Sequence, residues 1–368
     1  MSKPLFTPLQ LGRLQLPNRV IMAPMNRARC DAGRAPTAMV GEYYRQRAGA
    51  GLLITEASSV SPMSQSRPNA SAIYLDGQVA AWRLVAETVH AAGGRIFQQI
   101  YHLGRKSDPS RMPGGAAPVA PSAIAAKGQV AGLNGPVDFA LPRTLESDEI
   151  PAIVEQFRVA AANAAAAGMD GVEIHGANAY LVDQFLKDKS NRRNDAYGGA
   201  IEARARFLME VTEAAIAEIG ADRVGVRISP HLSVDGIGDS DVAASFTHVA
   251  GALGKLGIAY LHLVEAVVPG LPQSPPDGTQ PLLPAIRAAF PGTLIVNSAY
   301  DQTRAEAVIG AGLADAVAFA TLYISNPDLV ERFRIGAPLA EADPATTHGG
   351  GAKGYIDYPA LQTTAAGE

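Results

Sequence analysis

Three residues at the end of one short apolar run can act together on a substrate oxygen and on the carbon chain attached to it. In Gly171-Val172-Glu173-Ile174-His175-Gly176-Ala177-Asn178-Ala179-Tyr180, a histidine, an asparagine and a tyrosine follow a strand-like stretch. A neutral imidazole and a carboxamide both donate hydrogen bonds to a carbonyl or nitro oxygen, and so stabilise negative charge building there. A phenol is a weak acid in water and protonates a strongly basic centre such as an enolate carbon. His175 and Asn178 are three residues apart, which on a helical turn puts both side chains on one face. Taken alone, the same trio also reads as a core histidine, a turn asparagine and a packed tyrosine.

Arg227 lies in Val224-Gly225-Val226-Arg227-Ile228-Ser229-Pro230, a charge inside an apolar run. Burying it is costly unless it is paired. It therefore points to a polar ligand or closes an internal salt bridge. In Phe97-Gln98-Gln99-Ile100-Tyr101-His102 the two glutamines alternate faces, so only one turns inward. Ala23-Pro24-Met25-Asn26-Arg27 follows the first strand-like run. Asn26 there faces a site or belongs to an ordinary turn.

These side chains need a frame, and the chain has a regular one. Strands are expected near Arg19–Met22, Gly51–Ala57, Arg95–Tyr101, Gly171–Ile174, Val224–Ile228, Tyr260–Val264, Leu294–Asn297 and Ala316–Phe319. Helix-like segments lie between them at 37–48, 78–92, 148–167, 200–219, 240–256, 281–289, 302–311 and 326–335. Short continuous apolar runs are what buried parallel strands require. Ser147-Asp148-Glu149, Asp239-Ser240 and Asn326-Pro327 read as helix starts. Eight βα pairs without a second compositional block give an α/β fold, a single (β/α)8 TIM barrel over residues 1–368. A doubly wound sheet is the alternative, but the G-x-G-x-x-G turn of its dinucleotide-binding version is absent. Barrel enzymes place their chemistry at the C-terminal ends of the strands, where His175, Asn178 and Tyr180 fall.

One connection breaks the rhythm. Residues 102–147 separate strand 3 from its helix, far beyond the usual βα loop of about 2–6 residues. This glycine- and proline-rich excursion, with short strand-like pieces, is expected to cap the barrel mouth; an unstructured loop is the other reading. The tail, 341–368, is irregular, although Gly354-Tyr355-Ile356-Asp357-Tyr358-Pro359 is strongly patterned.

Composition narrows the function classes. A 368-residue chain with 47% hydrophobic and 18% charged residues is expected to be soluble and to bury a large core. A net charge of −4 with no basic block gives no reason to expect nucleic acid or an anionic membrane. The single cysteine, Cys30, rules out an internal disulfide and a cysteine-ligated iron–sulfur cluster, and fits a reducing cytoplasm. No metal site is expected. The N-terminus has no signal-peptide core, and no apolar run reaches the roughly 18 residues of a membrane span.

Phosphate groups in such barrels usually bind the loops after strands 7 and 8. Here those loops are Asn297-Ser298-Ala299 and Ala320-Thr321-Leu322. They offer backbone N–H groups and two hydroxyls but no cation, and no glycine to let a phosphate approach closely.

Nearly the whole chain, from Leu5-Phe6-Thr7-Pro8-Leu9 to Gly354–Pro359, resembles the Old Yellow Enzyme family of FMN-dependent ene-reductases, or NADH:flavin oxidoreductases. The stretch HGANAYLVDQFLKDKSNRRNDAYGGAIEARARFL at 175–208 carries most of the likeness. PNRVIMAPMNR, GLLITEAS, Gly225–Pro230 and Ile324–Leu329 add to it. The resemblance implies a (β/α)8 barrel with FMN at its C-terminal mouth, reduced by NAD(P)H. It implies that His175 and Asn178 bind the activating oxygen of an enone or nitroalkene. Flavin N5 then gives hydride to the β-carbon, and Tyr180 protonates the α-carbon. It implies flavin contacts for Pro24, Met25, Asn26, Ala57, Gln99 and Arg227, a substrate contact for Tyr355, and phosphate contacts for Ser298, Ala299, Ala320 and Thr321.

Three positions depart from the family pattern. Asn26 stands where a threonine usually bonds flavin O4. Ser298 replaces a glycine. Ala320-Thr321 replaces a glycine–arginine whose arginine clamps the FMN phosphate. The last change opens an alternative, a flavin-independent isomerase or cyclase that uses His175, Asn178 and Tyr180. The retained Gln99 and Arg227 favour FMN.

Overall fold

The computed structural model describes residues 3–65, 67–132, 135–265 and 279–361. Leu133 and Asn134 of the expected cap and residues 362–368 of the expected tail lie outside the described set.

Eight strands form a closed parallel barrel: β1 (Val20–Met22), β2 (Leu52–Ile54), β3 (Ile96–Tyr101), β4 (Gly171–Gly176), β5 (Val224–Ile228), β6 (Tyr260–Val264), β7 (Leu294–Asn297) and β8 (Ala316–Phe319). The ring closes because β4 pairs with both β3 and β5, and β1 with both β2 and β8. Each strand was expected from its apolar run. The second is shorter than Gly51–Ala57: pairing stops at Ile54, and Ser58–Ser59 pairs again with the end of β3.

Alternation along the strands sorts the core. Val20, Met22, Leu53, Ile96 and Val172 point outward to the helices. Ile21, Leu52, Ile54, Phe97, Tyr260, Ile295 and Ala316 form a separate cluster inside the barrel. The N-terminal hairpin, Leu9–Leu11 with Leu14–Leu16, adds Leu9, Leu11 and Leu16 to that inner cluster. Above this apolar floor the inward positions become polar: Gln99, Glu173, His175, Arg227 and His262. The register sets His175 beside Arg227, Arg227 beside His262, and Glu173 beside Gln99.

The outer helices are α1 (Ala38–Arg45), α2 (Asp76–Ala91), α3 (Ile150–Ala166), α4 (Ile201–Ile219), α5 (Val242–Leu256), α6 (Leu283–Ala289), α7 (Gln302–Gly310) and α8 (Leu329–Ile335). All eight fall within a few residues of their expected places. Their starts differ from the sequence reading. α5 is capped by Asp241, whose side chain accepts from the Ala244 N–H, while Asp239 bonds the Asp241 N–H. Ser147 caps nothing, because its hydroxyl is taken by Asp195 at 2.5 Å. α3 therefore begins without a side-chain cap. Asn326 bonds Leu322 and Ala340 backbone groups, so α8 starts later, after Asp328.

The segment 102–147 is structured in its described part. Short 3-10 turns lead to a parallel pair, Val119–Ala120 with Arg143–Thr144, and a hairpin, Gln129–Gly132 with Gly135–Asp138. Arg105 donates to the Ile124 and Asp235 carbonyls, and Lys106 pairs with Asp235 at 2.5 Å. These contacts fasten the excursion to the loop after β5, over the C-terminal mouth. Arg27 and Arg29 hold the tail by donating to the Thr347, Gly354, Thr346 and Gly351 carbonyls.

The loop after β1 is fixed from below by Glu56. Its buried carboxylate accepts the Arg27 and Ala28 N–H groups at 3.2 and 3.3 Å. Burial outweighs these bonds and raises its pKa from the ordinary 4.5 to about 7. The folded state thus holds a proton that the unfolded state has lost. The resulting stability is fully present below pH 4.5 and is lost as pH rises to about 7. We expect Glu56→Gln to remove this dependence. Relative to the variant, the parent should lose about 3 kcal/mol of unfolding free energy across that window. Denaturant titrations at pH 4.5, 6 and 8 measure it, and a constant difference between the two proteins would refute the assignment.

Candidate active site

The turn after β4 sets the first group. Asn178 and Ala179 have φ of 58° and 63°, the left-handed region. The expected helical turn is therefore absent, and the one-face argument for His175 and Asn178 fails. Asparagine adopts this conformation more readily than most residues; alanine does not. Hydrogen bonds hold both: the Asn178 N–H donates to the Ser229 hydroxyl, and the Ala179 N–H to Asp183, each at 2.9 Å. Asp183 is itself buried against Lys187 at 3.1 Å. This reversal places Tyr180 at the start of the short helix Leu181–Leu186.

Tyr180 packs edge-on against His175, with ring centroids 4.9 Å apart, and against Tyr101 at 5.3 Å. Ala57 and Leu103 complete this cluster. Lys106 lies over the Tyr180 ring at 5.1 Å. His175 is buried and its pKa falls well below the ordinary value. Burial is the main cause, followed by the positive charge of Arg227, then His262 and Lys106. The imidazole is therefore neutral at physiological pH. Burial pushes the Tyr101 phenol upward, making it a poorer acid.

Beneath lies a second group that the sequence reading did not single out. Glu173 is fully buried inside the barrel; it accepts from Gln99 Nε2 at 2.6 Å and meets His262 Nδ1 at 2.8 Å. Gln99 is thus the inward-facing glutamine, while Gln98 points out and donates to Ser58 at 2.6 Å. Arg227 donates from Nη2 to Asn297 Oδ1 at 3.0 Å and has no direct salt bridge among the described residues. The signal for Glu173 was present in Val172-Glu173-Ile174, an acid inside an apolar run, as for Arg227.

A cavity of about 780 Å³ opens along the mouth. Asn178 and Arg227 line it on the β4–β5 side, and Ser298, Ala299, Ala320 and Thr321 line it beyond β7 and β8. Its size is that of a small-molecule or cofactor site. Three buried polar atoms at the mouth have no protein partner among the described residues: Asn26 Oδ1, His175 Nδ1 and Arg227 Nε. Buried polar groups normally find partners, so these suit a polar ligand such as a flavin ring. Pro24 and Met25 are half-buried just past β1.

Tyr355 departs from expectation. Its ring is buried and stacked on Tyr43, with centroids 4.1 Å apart, and Arg29 lies 4.3 Å from it. The neighbouring Gly354 carbonyl accepts from Arg27 Nη2 at 2.8 Å.

The model of the NADH:flavin oxidoreductase / NADH oxidase family matches residues 4–340. The chain belongs to this family. It is 43% identical over 367 residues to putative 12-oxophytodienoate reductase 11 of Oryza sativa subsp. japonica, covering 98% of each chain. The structure of morphinone reductase in complex with tetrahydroNAD superposes with a TM-score of 0.92 at 46% identity, covering 98% of this chain and 99% of that one. The Old Yellow Enzyme homologue from Zymomonas mobilis gives 0.94 at 41% identity, covering 97% and 99%. This member of the Old Yellow Enzyme family is thus an oxidoreductase whose cofactor is FMN and whose reductant is NAD(P)H. The relatives carry the flavin-dependent reading, not the isomerase or cyclase. Among the described residues no helix is long and apolar enough to cross a membrane.

The loop after β7 is strained. Ser298 has φ 139° and Ala299 φ 45°, both in the region that favours glycine. Such positions cost on the order of 1–3 kcal/mol. Glycine relieves the strain and costs about 0.5–1 kcal/mol through the unfolded chain. We expect Ser298→Gly to raise Tm by about 1–2 °C in thermal unfolding. A lower Tm would show that the serine side chain stabilises the loop.

Proposed function

We propose that this enzyme reduces the activated C=C bond of α,β-unsaturated carbonyl or nitro compounds at the expense of NAD(P)H. The observation that carries this reading is Tyr180 packed against a neutral His175, beside a cavity that Asn178 and Arg227 line. Bound FMN supplies the hydride. Gln99, Arg227 and Asn26 are the groups that would hold its ring, with Pro24, Met25 and Ala57 along it.

The protein's own part is polarisation and protonation. His175 and Asn178 donate hydrogen bonds to the substrate oxygen and stabilise charge forming there. A neutral imidazole suits this role, since it donates without surrendering its proton. The proton for the α-carbon then falls to Tyr180. Tyr101 is more deeply buried, and burial makes it a poorer acid than an ordinary phenol. Lys106 packs over the Tyr180 ring, and Asp235 keeps that ammonium in place at 2.5 Å. The cap that carries Lys106 covers the mouth and bears on substrate choice. The free, buried Cys30 fits a cytoplasmic location.

Purified protein should show flavin absorbance, at once or after FMN addition, and should oxidise NAD(P)H in the presence of 2-cyclohexenone. Tyr180→Phe should slow enone reduction by about 10²–10⁴-fold, the usual contribution of a positioned acid. Reduction of the enzyme by NAD(P)H should be nearly unchanged. Stopped-flow measurement of the two half-reactions separates these. Equal slowing of both, or full activity in the variant, would remove Tyr180 from the acid role.

A further inference from the structure

We propose that the flavin cavity of this chain reads the ring and not the phosphate, and so binds riboflavin with an affinity close to that for FMN. This rests on the flavin reading above and concerns the far end of the cavity, beyond β7 and β8. Barrels of this type place a ligand's phosphate there.

That end lacks an available cation. Arg332 lines it, but all three guanidinium nitrogens are engaged. Nε pairs with Asp328 at 2.6 Å, Nη1 donates to the Pro338 carbonyl at 2.7 Å, and Nη2 to the Pro359 carbonyl at 3.0 Å. Its charge is already balanced by Asp328. Arg304 is exposed and outside the cavity lining; its Nη1 donates to the Ala299 carbonyl at 2.6 Å and its guanidinium lies over the Tyr300 ring at 4.8 Å. Asp301 lines the same end, with its carboxylate held by the Arg304 N–H at 2.8 Å. Glu265 sits close by, hydrogen-bonded to the Tyr300 hydroxyl. The residues outside the described set contain no lysine or arginine, so none of them can bring a side-chain cation here.

What remains for a phosphate is neutral: the Ser298 and Thr321 hydroxyls and backbone amides. The loop keeps a glycine-like path at Ser298 and Ala299, so its shape survives where its charge does not. These donors can bond an ionised phosphate, but none brings the opposite charge that would offset the cost of taking a dianion out of water. A dianion near the Asp301 carboxylate also meets repulsion. The ring end is different. Arg227, Gln99 and the unpartnered Asn26 Oδ1 face a flavin ring that FMN and riboflavin share.

The test is titration of the flavin-free protein with FMN and with riboflavin, followed by quenching of flavin fluorescence at two salt concentrations. The two Kd values should agree within about tenfold, and FMN binding should change little with salt, as expected without a charge pair. Thr321→Arg should then tighten FMN by about tenfold or more while leaving riboflavin unchanged, the gain expected from one charge-assisted contact. An FMN preference above about a hundredfold in the parent protein would overturn this inference and leave the flavin reading intact. Failure of both flavins to bind would overturn the flavin reading as well.

Discussion

A carboxylate inside a barrel cannot reach water, so its neighbours must answer its charge. Glu173 is in that position, fully buried between Gln99 and His262. An isolated buried charge is expensive, and removing one partner of a buried pair typically costs about 3–5 kcal/mol. The polar layer around Glu173 is therefore fixed as a unit. Gln99 must turn its amide N–H toward the acid, and His262 must turn Nδ1 toward it. Arg227, on β5 between the strands of Glu173 and His262, adds the compensating positive charge that Glu173 attracts. This layer separates an apolar floor from the mouth, and it decides how the groups above it are aimed.

The mouth inherits its electrostatics from that layer. Burial, with the positive charge of Arg227 beneath it, keeps the His175 imidazole neutral. A neutral donor and a separate acid are then available on the same face of the site. The division of labour follows from depth. His175 stands on a strand, one residue before β4 ends, and is shielded. Tyr180 stands five residues later, at the rim, where it is less shielded and has a lysine beside it. The left-handed turn at Asn178 and Ala179 makes this possible, because it reverses the chain within two residues.

The barrel was legible in the sequence because parallel strands buried on both faces leave continuous apolar runs, and each run found its strand. Arg227 and Gln99 were legible as polar interruptions of such runs. Glu173 interrupts one in the same way but sits next to His175, whose chemistry drew the reading instead. The turn at 178–179 was not legible, since alanine at positive φ contradicts local preference and is imposed by Asp183 and Ser229. The packing of Tyr355 was hidden for a different reason. Its neighbours Tyr43, Arg27 and Arg29 lie over 300 residues away in sequence, and no local pattern announces such a stack. The helix starts failed because Ser147 and Asn326 found partners outside their helices.

The cap shows how a long insertion is kept in register with a site to which it adds only Leu103 and Lys106 beside Tyr180. Its own pairings are short, and few would hold alone. It is fastened from outside at several points: Arg105 and Lys106 meet Asp235 on the loop after β5, Arg193 donates to the Pro121 and Leu145 carbonyls, and the Arg192 N–H donates to Ser122. Asp235 is itself in the left-handed region, with φ 55°, so its carbonyl and its carboxylate can serve two neighbours at once. The same carboxylate fixes the ammonium over Tyr180. One attachment of the cap and the placement of Lys106 over Tyr180 are therefore the same interaction. A change that loosens the cap at this point also moves the lysine packed on the Tyr180 ring, so the shape of the mouth and the packing around its proton donor cannot vary independently.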